Sequence, residues 1–563
     1  ILADNPSDII LPLKTKLSGN NAILDYQNSL NTSTGRIRIL GSESEISISL
    51  LDDALSGKNY IELNSTENID FGSILYIKSE DVYSTDTKKG EIVRVVGVLG
   101  STVFLSKNLS LSYTQANSSV RLVNANKSTI SDLNLIGRGN GIDSNDTNDR
   151  GVMVNYADKA CLVNVNVYNF HKMGILAGNM IDSDIVSCNV AMTDKKQGGE
   201  YIQYGISLFD AINGGSVKNC NVSRGKHGIA YTSFTGYGVS SDHTIDQCSM
   251  NNTWHAGFAT HQTNTNLRLN NTHLDSCGYG FDIRVPNAKV SNSSAKKITN
   301  TATILRGNFS NLEYINNTLE DCNTAITVSE MVGNVSNVKI IGTNLDKCTN
   351  HGINLVFPRV YKVDGLKILG SKVSNVAGSG IAIRGDVAGL DVHGNEFDKM
   401  NSVQYCIRLY GVDGSNISNN KANGRLLRIE NDDTVPCKNT QVLYNEWSGD
   451  YPLVMPASGN SIGLYKKGNF QSEGVNLVGV VGNAVSIAAG IGYINVSVPT
   501  PQTLSTITSQ SNIGDTLAIT KVGAGSLTLS PGGNLLLTNG DIVINDGRSI
   551  GFVFNGTAWA QQA

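Results

Sequence analysis

One short pattern recurs through the middle of the chain and limits its possible folds more than any other feature. Each copy has six residues. The first is aliphatic, the third is Asn, Ser, Gly or Asp, the fourth is small and often Cys, and the sixth is usually apolar. The second and fifth can be any residue. IVSCNV, VKNCNV and VHGNEF are examples. The pattern repeats about every 26 residues, which indicates a solenoid, and its alternating apolar positions make each copy a strand. We therefore predict a right-handed parallel β-helix whose coils stack about 4.8 Å apart. The thirteen copies begin at Ile130, Leu162, Ile185, Val217, Ile245, Leu269, Val290, Ile315, Ile340, Ile368, Val392, Ile417 and Val442.

A second short strand, opened by Gly, precedes many of these copies. Examples are GILAG at Gly174, GISLF at Gly205, GIAYT at Gly228, GFATH at Gly257 and GFDIR at Gly280. Side chains alternate across a strand, so the mostly apolar residues one and three places after each Gly should point into the core. The residues two and four places after each Gly should point outward.

The cysteines follow the same repeat. Cys188, Cys220 and Cys248 occupy one place in it, and Cys277, Cys322 and Cys348 share another. Since there is no CxxC pair, we expect buried, reduced thiols rather than a disulfide framework or a zinc site, and we expect no metal or cofactor. The frequent Asn residues are expected at turns, because Asn tolerates left-handed backbone.

The composition and the pattern of predicted strands and turns divide the chain into three regions. Only 16% of the 563 residues are charged and the formal net charge is −4, so nothing in the overall charge points to nucleic acid. No apolar run approaches the roughly 20 residues that a membrane span needs. We predict a β-rich cap over 1–125, the β-helix over 126–447, and an antiparallel β-sandwich over 448–563. The chain begins at Ile1 without Met, so we expect a fragment that lacks an N-terminal attachment head.

Several longer segments resemble the right-handed β-helix tailspikes of bacteriophages, which are pectate-lyase-like depolymerases of capsule or O-antigen. The segments are RGKHG, GYGVSSDHTIDQC, AGFATHQTN, CGYGFDIRVPNAKVSN, NYIELNSTENIDFGSILYIKSE and the closing GDIVINDGRSIGFVFNGTAWAQ. The resemblance implies an elongated homotrimer that sits on the phage tail and acts at the bacterial surface. It also implies that the C-terminal region joins three chains, and that region could bind glycan as well. One departure is that Lys226 precedes His227, where the related motif carries Arg.

The histidines mark a candidate site. Five of the eight lie between His227 and His273. His261 and Arg284 stand four places after a Gly, so they should point outward in one column. A second group stands one or two places before the glycines and contains Tyr204, Lys226, His227, His255 and Tyr279. About five residues of straight strand, or roughly 16 Å, separate the two groups. Stacked cations repel each other unless an anion lies between them, so a groove for several sugars, one of them acidic, is the expected role. We expect catalysis from Asp282, His227, His255 and Tyr204, and substrate binding from Lys226, His261, Arg284, Arg306 and Trp254. Tyr231 and Phe234 are further candidates for sugar stacking.

Two reactions fit these residues. Hydrolysis needs two carboxyl groups, and Asp282 is the only outward carboxylate in the basic zone of the Gly-led sheet. Its partner would come from Asp242, from Asp246, from the loop that holds Asp194 and Glu200, or from a neighbouring chain. Elimination on a uronate needs a cation and a base, which Arg284 with His227, His255 or Tyr204 would supply. The residues favour elimination and the resemblance favours hydrolysis, which we place slightly ahead.

Two other classes of protein remain open. A non-catalytic adhesin or structural spike would explain the repeat and the basic groove equally well. A secreted pectate lyase is a weaker alternative, because a cluster of acidic calcium ligands would be expected on one sheet and none is evident.

Overall fold

The fold is all-β. The computed structural model describes residues 2–562 except 5–7, 28–34, 85–86, 140–148, 194–202, 262–263, 401–403, 431–436, 438, 448–452, 455–464, 468–469, 472–476, 481, 487–492, 510–514, 523 and 545–548. The only helix that lies wholly in the described ranges is one 3-10 turn, Gln115–Asn117, and no described helix could span a membrane. The chain forms two compact units, residues 1–323 with 329–332, and residues 324–328 with 333–563.

The first unit contains a parallel β-solenoid whose register follows the repeat. Ile130 lies opposite Leu162, and the aligned first residues continue coil by coil to Leu269 and Val290. The next coil differs from the prediction by one place, since Val290 lies opposite Tyr314 rather than Ile315. Tyr314 is only 1% exposed, so the aromatic ring fills the core position that the aliphatic pattern assigned to its neighbour.

The strands of this solenoid form three columns, of which two correspond to the two patterns in the sequence. The Gly-led column contains Ile9–Leu11, Ile37–Leu40, Arg150–Asp158, Met173–Ile181, Tyr204–Asn213, His227–Thr232, Ala256–Thr260, Tyr279–Ile283 and Ser294–Gly307. The column of the six-residue pattern contains Lys16–Asp25, Thr129–Ile136, Cys161–Tyr168, Asp184–Val186, Ser216–Lys218, Thr244–Asp246, Arg268–Asn270, Lys289–Ser291 and Glu313–Ile315.

The third column consists mainly of short strands that follow the six-residue pattern on each coil. It begins with Leu2–Asp4 and continues through the second halves of Lys16–Asp25, Thr129–Ile136 and Cys161–Tyr168. There Asn166 lies opposite Asn189 on the next coil. It then contains Asn189–Ala191, Asn221–Ser223, Ser249–Asn251 and His273–Asp275, and it continues into the first residues of Ser294–Gly307. The other short strands of this solenoid are Ser240–Ser241 and Asn264–Thr265.

The backbone conformation at the third place of each six-residue copy explains why Asn, Ser, Gly or Asp is favoured there. This residue takes left-handed backbone, with φ between +47° and +55° in the copies from Asp132 to Asn292. Asn and Asp adopt that conformation more readily than most residues. Asn316 has φ +53° and stands two places after Tyr314, so the turn position supports the shifted register of that coil.

The predicted burial of one cysteine column is confirmed for Cys188, Cys220 and Cys248. All three are fully buried and free. The thiol Sγ of Cys220 lies 3.5 Å from the carbonyl oxygen of Ile185 one coil below. The thiols therefore pack as small apolar groups that also make weak hydrogen bonds to the backbone.

The N-terminal region differs from the predicted cap over 1–125. Strands Lys16–Asp25 and Ile37–Leu40 already belong to the solenoid, because they pair in parallel with later coils. The segment after them forms a separate β-domain that packs along the side of the coils, where Arg94 donates to Asp158 at 3.0 Å. Inserting this domain breaks the 26-residue spacing, so the first coils do not show in the repeat. Its strands are Ser42–Glu43, Ile48–Ser49, Tyr60–Glu62, Ile74–Ser84, Thr87–Leu99, Thr102–Leu105 and Ser118–Asn124.

The second unit contains parallel coils of the same kind, and its copies pair as predicted from Ile340 to Val442. The pairing continues past the predicted boundary at residue 447, as far as Phe470–Gln471. Three stacked side chains, Asn395, Asn420 and Asn445, bond to one another across successive coils. The strands are Ile353–Val356, Ile381–Ala388, Tyr405–Asp413, Arg425–Glu430, Leu453–Val454, Lys339–Ile341, Lys367–Leu369, Asp391–His393, Asn416–Ser418, Gln441–Leu443, Tyr465–Lys467, Asn344–Cys348, Lys372–Ser374, Glu396–Asp398, Lys421–Ala422, Glu446–Trp447, Phe470–Gln471, Val335–Ser336 and Val363–Asp364. Thr318–Met331 has residues in both units.

The C-terminal part of the second unit is a mixed β-structure, whereas the sequence predicted an antiparallel sandwich over 448–563. Tyr493–Ser497 pairs in parallel with Thr516–Val522, which pairs antiparallel with Ser549–Phe554. Its core includes the fully buried ring of Trp559. The homotrimer stays a prediction. The remaining strands are Leu477–Gly479, Ala484–Ser486, Gln502–Leu504, Thr506–Thr508, Leu527–Leu529, Leu535–Leu536, Ile542–Ile544 and Trp559–Gln561.

Candidate active site

The Gly-led sheet of the first unit brings the predicted aromatic and histidine side chains into one cluster. The ring centroids of Tyr204 and His227 are 4.9 Å apart, and those of His227 and His255 are also 4.9 Å apart. His261 lies 5.5 Å from His227 and 6.3 Å from Tyr204. The predicted separation of about 16 Å between two groups is therefore wrong. The rings can approach each other because the sheet between them carries small side chains such as Ala259.

Asp282 lies at the base of a cluster of guanidinium groups. Its carboxylate accepts hydrogen bonds from Arg284 Nε at 3.0 Å and from Arg284 Nη2 at 2.7 Å. Arg306 Nε is 3.5 Å from Asp282 Oδ1. The register continues from Arg284 to Arg306 on the next coil, as predicted. Asp282 occupies an outward place in its strand but is only 1% exposed, because the arginines cover it.

Burial keeps the imidazoles of this cluster neutral. It is the largest cause that lowers the pKa of His227 well below the usual 6.5. Burial and the nearby Lys226 also lower the pKa of His255. For His261, burial and then the charge of Arg284 lower the pKa to about 4. Neutral imidazoles can accept protons at pH 7.

Three ring nitrogens of the cluster have no hydrogen-bond partner within the described part of the chain. They are Nδ1 of His227, Nδ1 of His255 and Nε2 of His261. A buried polar atom without a partner is costly, which is a reason to expect a ligand there. No group of three or more His, Cys, Asp or Glu side chains in the described ranges is arranged to hold a metal ion.

Exposed aromatic rings flank the cluster. Trp254 is 37% exposed, and the Lys226 ammonium lies 5.7 Å from its ring centroid. Phe234 is 43% exposed, and its backbone N–H donates to the buried carboxylate of Asp210 at 2.9 Å. Both rings can offer a face to a sugar. Tyr231 cannot, because it is fully buried and its hydroxyl bonds to His243.

Three charged residues near this surface were missed by the sequence analysis. Arg150 aligns through Met173 with Tyr204 in the register, and Lys172 is its close neighbour. Their signal was present, since Arg150 stands one place before Gly151 and Lys172 two places before Gly174. Glu330 Oε1 accepts from Arg306 Nη1 at 2.9 Å. Glu330 follows no glycine, so no simple place in the repeat identified it.

The other predicted carboxylates do not join the cluster. Asp242 and Asp246 line a different groove of about 770 Å³, together with Arg268. Asp194 and Glu200 lie outside the described residues. Within the described residues, Glu330 is a candidate partner for Asp282, since both carboxylates contact the guanidinium of Arg306.

Comparison with known families gives one match. Residues 482–560 match the model of the phage depolymerase C-terminal β-sandwich domain. This match confirms the resemblance to phage depolymerases that the sequence suggested. A comparison with curated protein sequences finds no match.

Several solved structures are similar to this chain at low identity. The tailspike gp61 of Pseudomonas phage phi297 has a TM-score of 0.49 and 12% identity, covering 73% of this chain and 69% of that chain. The tailspike gp49 of Pseudomonas phage LKA1 has a TM-score of 0.44 and 14% identity, with coverages of 90% and 74%. The gp54 tailspike of Acinetobacter baumannii bacteriophage AP22, solved with A. baumannii capsular saccharide, has a TM-score of 0.44 and 14% identity, with coverages of 81% and 70%.

Proposed function

We propose that this protein is the depolymerase part of a phage tailspike, which binds and cleaves an acidic bacterial surface polysaccharide, either capsule or O-antigen. The match of residues 482–560 to a phage depolymerase domain supports the biological setting. A homotrimer on the phage tail, acting at the bacterial surface, belongs to the same proposal. A row of cations on the Gly-led sheet of the first unit supports the acidic substrate.

These cations follow successive coils of the Gly-led sheet. They extend from Arg150 and Lys172 through Lys226 to Arg284 and Arg306. Seven coils at about 4.8 Å per step give a length of roughly 30 Å, enough for several consecutive sugars. Asp282 and Glu330 already lie against Arg284 and Arg306, so the repulsion that favours a polyanion is the one between cations such as Arg150 and Lys172.

Elimination is the reaction that the geometry supports best. The observation that carries it is the position of Asp282, which is buried and engaged by Arg284, so it is poorly placed to act as an acid or nucleophile. We assign Arg284 to the substrate carboxylate and His261 to the base. His261 removes the C5 proton, the electron pair forms the C4–C5 double bond, and the C4–O bond breaks. Tyr204, beside His261, donates its proton to the leaving oxygen.

The products distinguish this reaction from hydrolysis. Elimination leaves an unsaturated end that absorbs in the ultraviolet, whereas hydrolysis adds one water to each cleavage. The purified protein is incubated with acidic capsular polysaccharides, and the products are followed by absorbance and mass spectrometry. His261→Gln and Tyr204→Phe should each reduce the rate by about 10²- to 10⁴-fold. Lys289→Ala is the control, because Lys289 lies in the column of the six-residue pattern and forms an ion pair with Glu313. Products that all carry an added water would overturn elimination.

Hydrolysis is the second candidate, and the position of Glu330 favours it. Asp282 and Glu330 contact the same guanidinium, at 3.5 and 2.9 Å. Their carboxyl groups therefore lie within about 9 Å of each other, a range that includes inverting glycosidases. Asp282→Asn should abolish hydrolysis but should affect elimination only modestly. If no polysaccharide is shortened by the wild-type protein, a non-catalytic glycan-binding spike replaces both reactions.

A further inference from the structure

We infer that a pocket beside Arg284 is a subsite for a methyl-bearing group on the polysaccharide, either an acetyl group or the methyl group of a 6-deoxy sugar. The inference rests on the proposed function, since it describes the sugar next to the acidic one. The pocket has a volume of about 400 Å³, within the usual range for ligand sites. It is lined by Val82, Tyr83, Ser84, Arg284, Pro286, Asn308 and Val332.

Arg284 connects this pocket to the candidate active site. Its guanidinium binds Asp282 within the cluster, and its charge lowers the pKa of His261. The same side chain forms part of the pocket wall. A sugar whose carboxylate faces Arg284 would therefore place its neighbour in the polymer at the pocket.

The lining favours an apolar substituent over bare hydroxyl groups. Val82 is 66% exposed and Val332 is 52% exposed, so both valines present apolar surface to a ligand. The hydroxyl of Tyr83 donates to the backbone oxygen of Asn264 at 3.2 Å and is thus engaged within the protein. Sugar hydroxyls would lose hydrogen bonds to water against such a wall, whereas a methyl group gains from burial.

The test measures binding, so that it does not depend on cleavage. A panel of purified acidic capsular polysaccharides is screened with the full chain, and one that binds is selected. Dissociation constants are then measured for the native polymer and for the polymer after mild alkaline treatment, which removes O-acetyl groups but leaves N-acetyl groups and 6-deoxy sugars. The variants are Val82→Asp and Val332→Asp. Val360→Asp is the matched control, because Val360 is 80% exposed and does not line the pocket.

We expect Val82→Asp and Val332→Asp to weaken binding at least about tenfold, and Val360→Asp to leave it unchanged. If the group is an O-acetyl ester, alkaline treatment weakens wild-type binding by a similar factor and weakens Val332→Asp little further. If it is N-acetyl or 6-deoxy, alkaline treatment has no effect, and nuclear magnetic resonance shows the methyl signal in the bound polymer. Unchanged binding by both valine variants, or full affinity for a polymer without methyl groups, would overturn the subsite. Binding without chain shortening would instead reject the proposed cleavage.

Discussion

The low pKa of His261 predicts an unusual pH profile. If its neutral imidazole is the base, kcat/KM depends on the fraction of free protein in which that ring is unprotonated. At pH 5.5, an imidazole with a pKa of about 4 is about 97% neutral, whereas an ordinary one with a pKa of about 6.5 is about 10% neutral. We therefore expect nearly full kcat/KM at pH 5.5, with the acid limb near pH 4.

Arg284 provides a test of the physical cause. After burial, its positive charge is the largest cause that lowers the pKa of His261. Arg284→Ala should therefore move the acid limb to higher pH, towards 6.5, in addition to lowering the maximum rate. Lys289→Ala should leave the position of the limb unchanged. Each profile is scaled to its own maximum, so that the loss of substrate binding does not hide the shift.

Folding stability must be followed over the same pH range. The folded-state pKa of His261 is below its unfolded value, so this group favours the folded state above pH 6.5. That contribution is lost as the pH falls from 6.5 towards 4, at no more than about 1.4 kcal/mol per pH unit. Circular dichroism at each pH separates unfolding from protonation of the base. A wild-type acid limb at or above pH 6.5 in folded protein would refute the assignment of His261.

Three further changes test the ion pair of Asp282, the contact of Trp254 with a sugar, and the assembly of the chains. Arg284→Ala should lower the unfolding free energy by about 1–3 kcal/mol in denaturant titrations, since the buried carboxylate of Asp282 loses two hydrogen bonds and keeps Arg306 nearby. Trp254→Ala should raise KM roughly 2- to 10-fold in initial-rate assays through the loss of sugar stacking, without moving the acid limb. Deletion of 448–563 should yield monomers or aggregate by light scattering, and a soluble trimer after that deletion would contradict the proposed assembly role.

The repeat made the coils predictable because it reflects two local requirements. The first residue of each copy fills the core, and the third takes left-handed backbone, so both leave a clear mark on the sequence. The exception at Tyr314 arose because an aromatic residue fills a place that usually holds an aliphatic one. The β-domain insertion was harder to place, since its docking depends on distant pairs such as Arg94 with Asp158.

The residues of the candidate site could be named from the sequence, but their distances could not. Strand register placed Arg284 and Arg306 in one column correctly. It gave no information on how side chains lean across the sheet, so the contact between His227 and His261 was missed. Nor could it show that Asp282 is covered by the side chains beside it.

Asp282 shares its burial with other carboxylates of the first unit, among them Asp158 and Asp210. In the second unit, the matching outward places, two residues after Gly352 and Gly380, hold the uncharged Asn354 and Ala382. The first unit instead buries the carboxylate of Asp282 on its outward face. Burying an ion pair costs desolvation that its attraction does not reliably recover, so coil stability alone does not explain it. The cluster around Asp282 combines this desolvation cost with neutral imidazoles, so a role in ligand binding or catalysis explains it better than a role in folding.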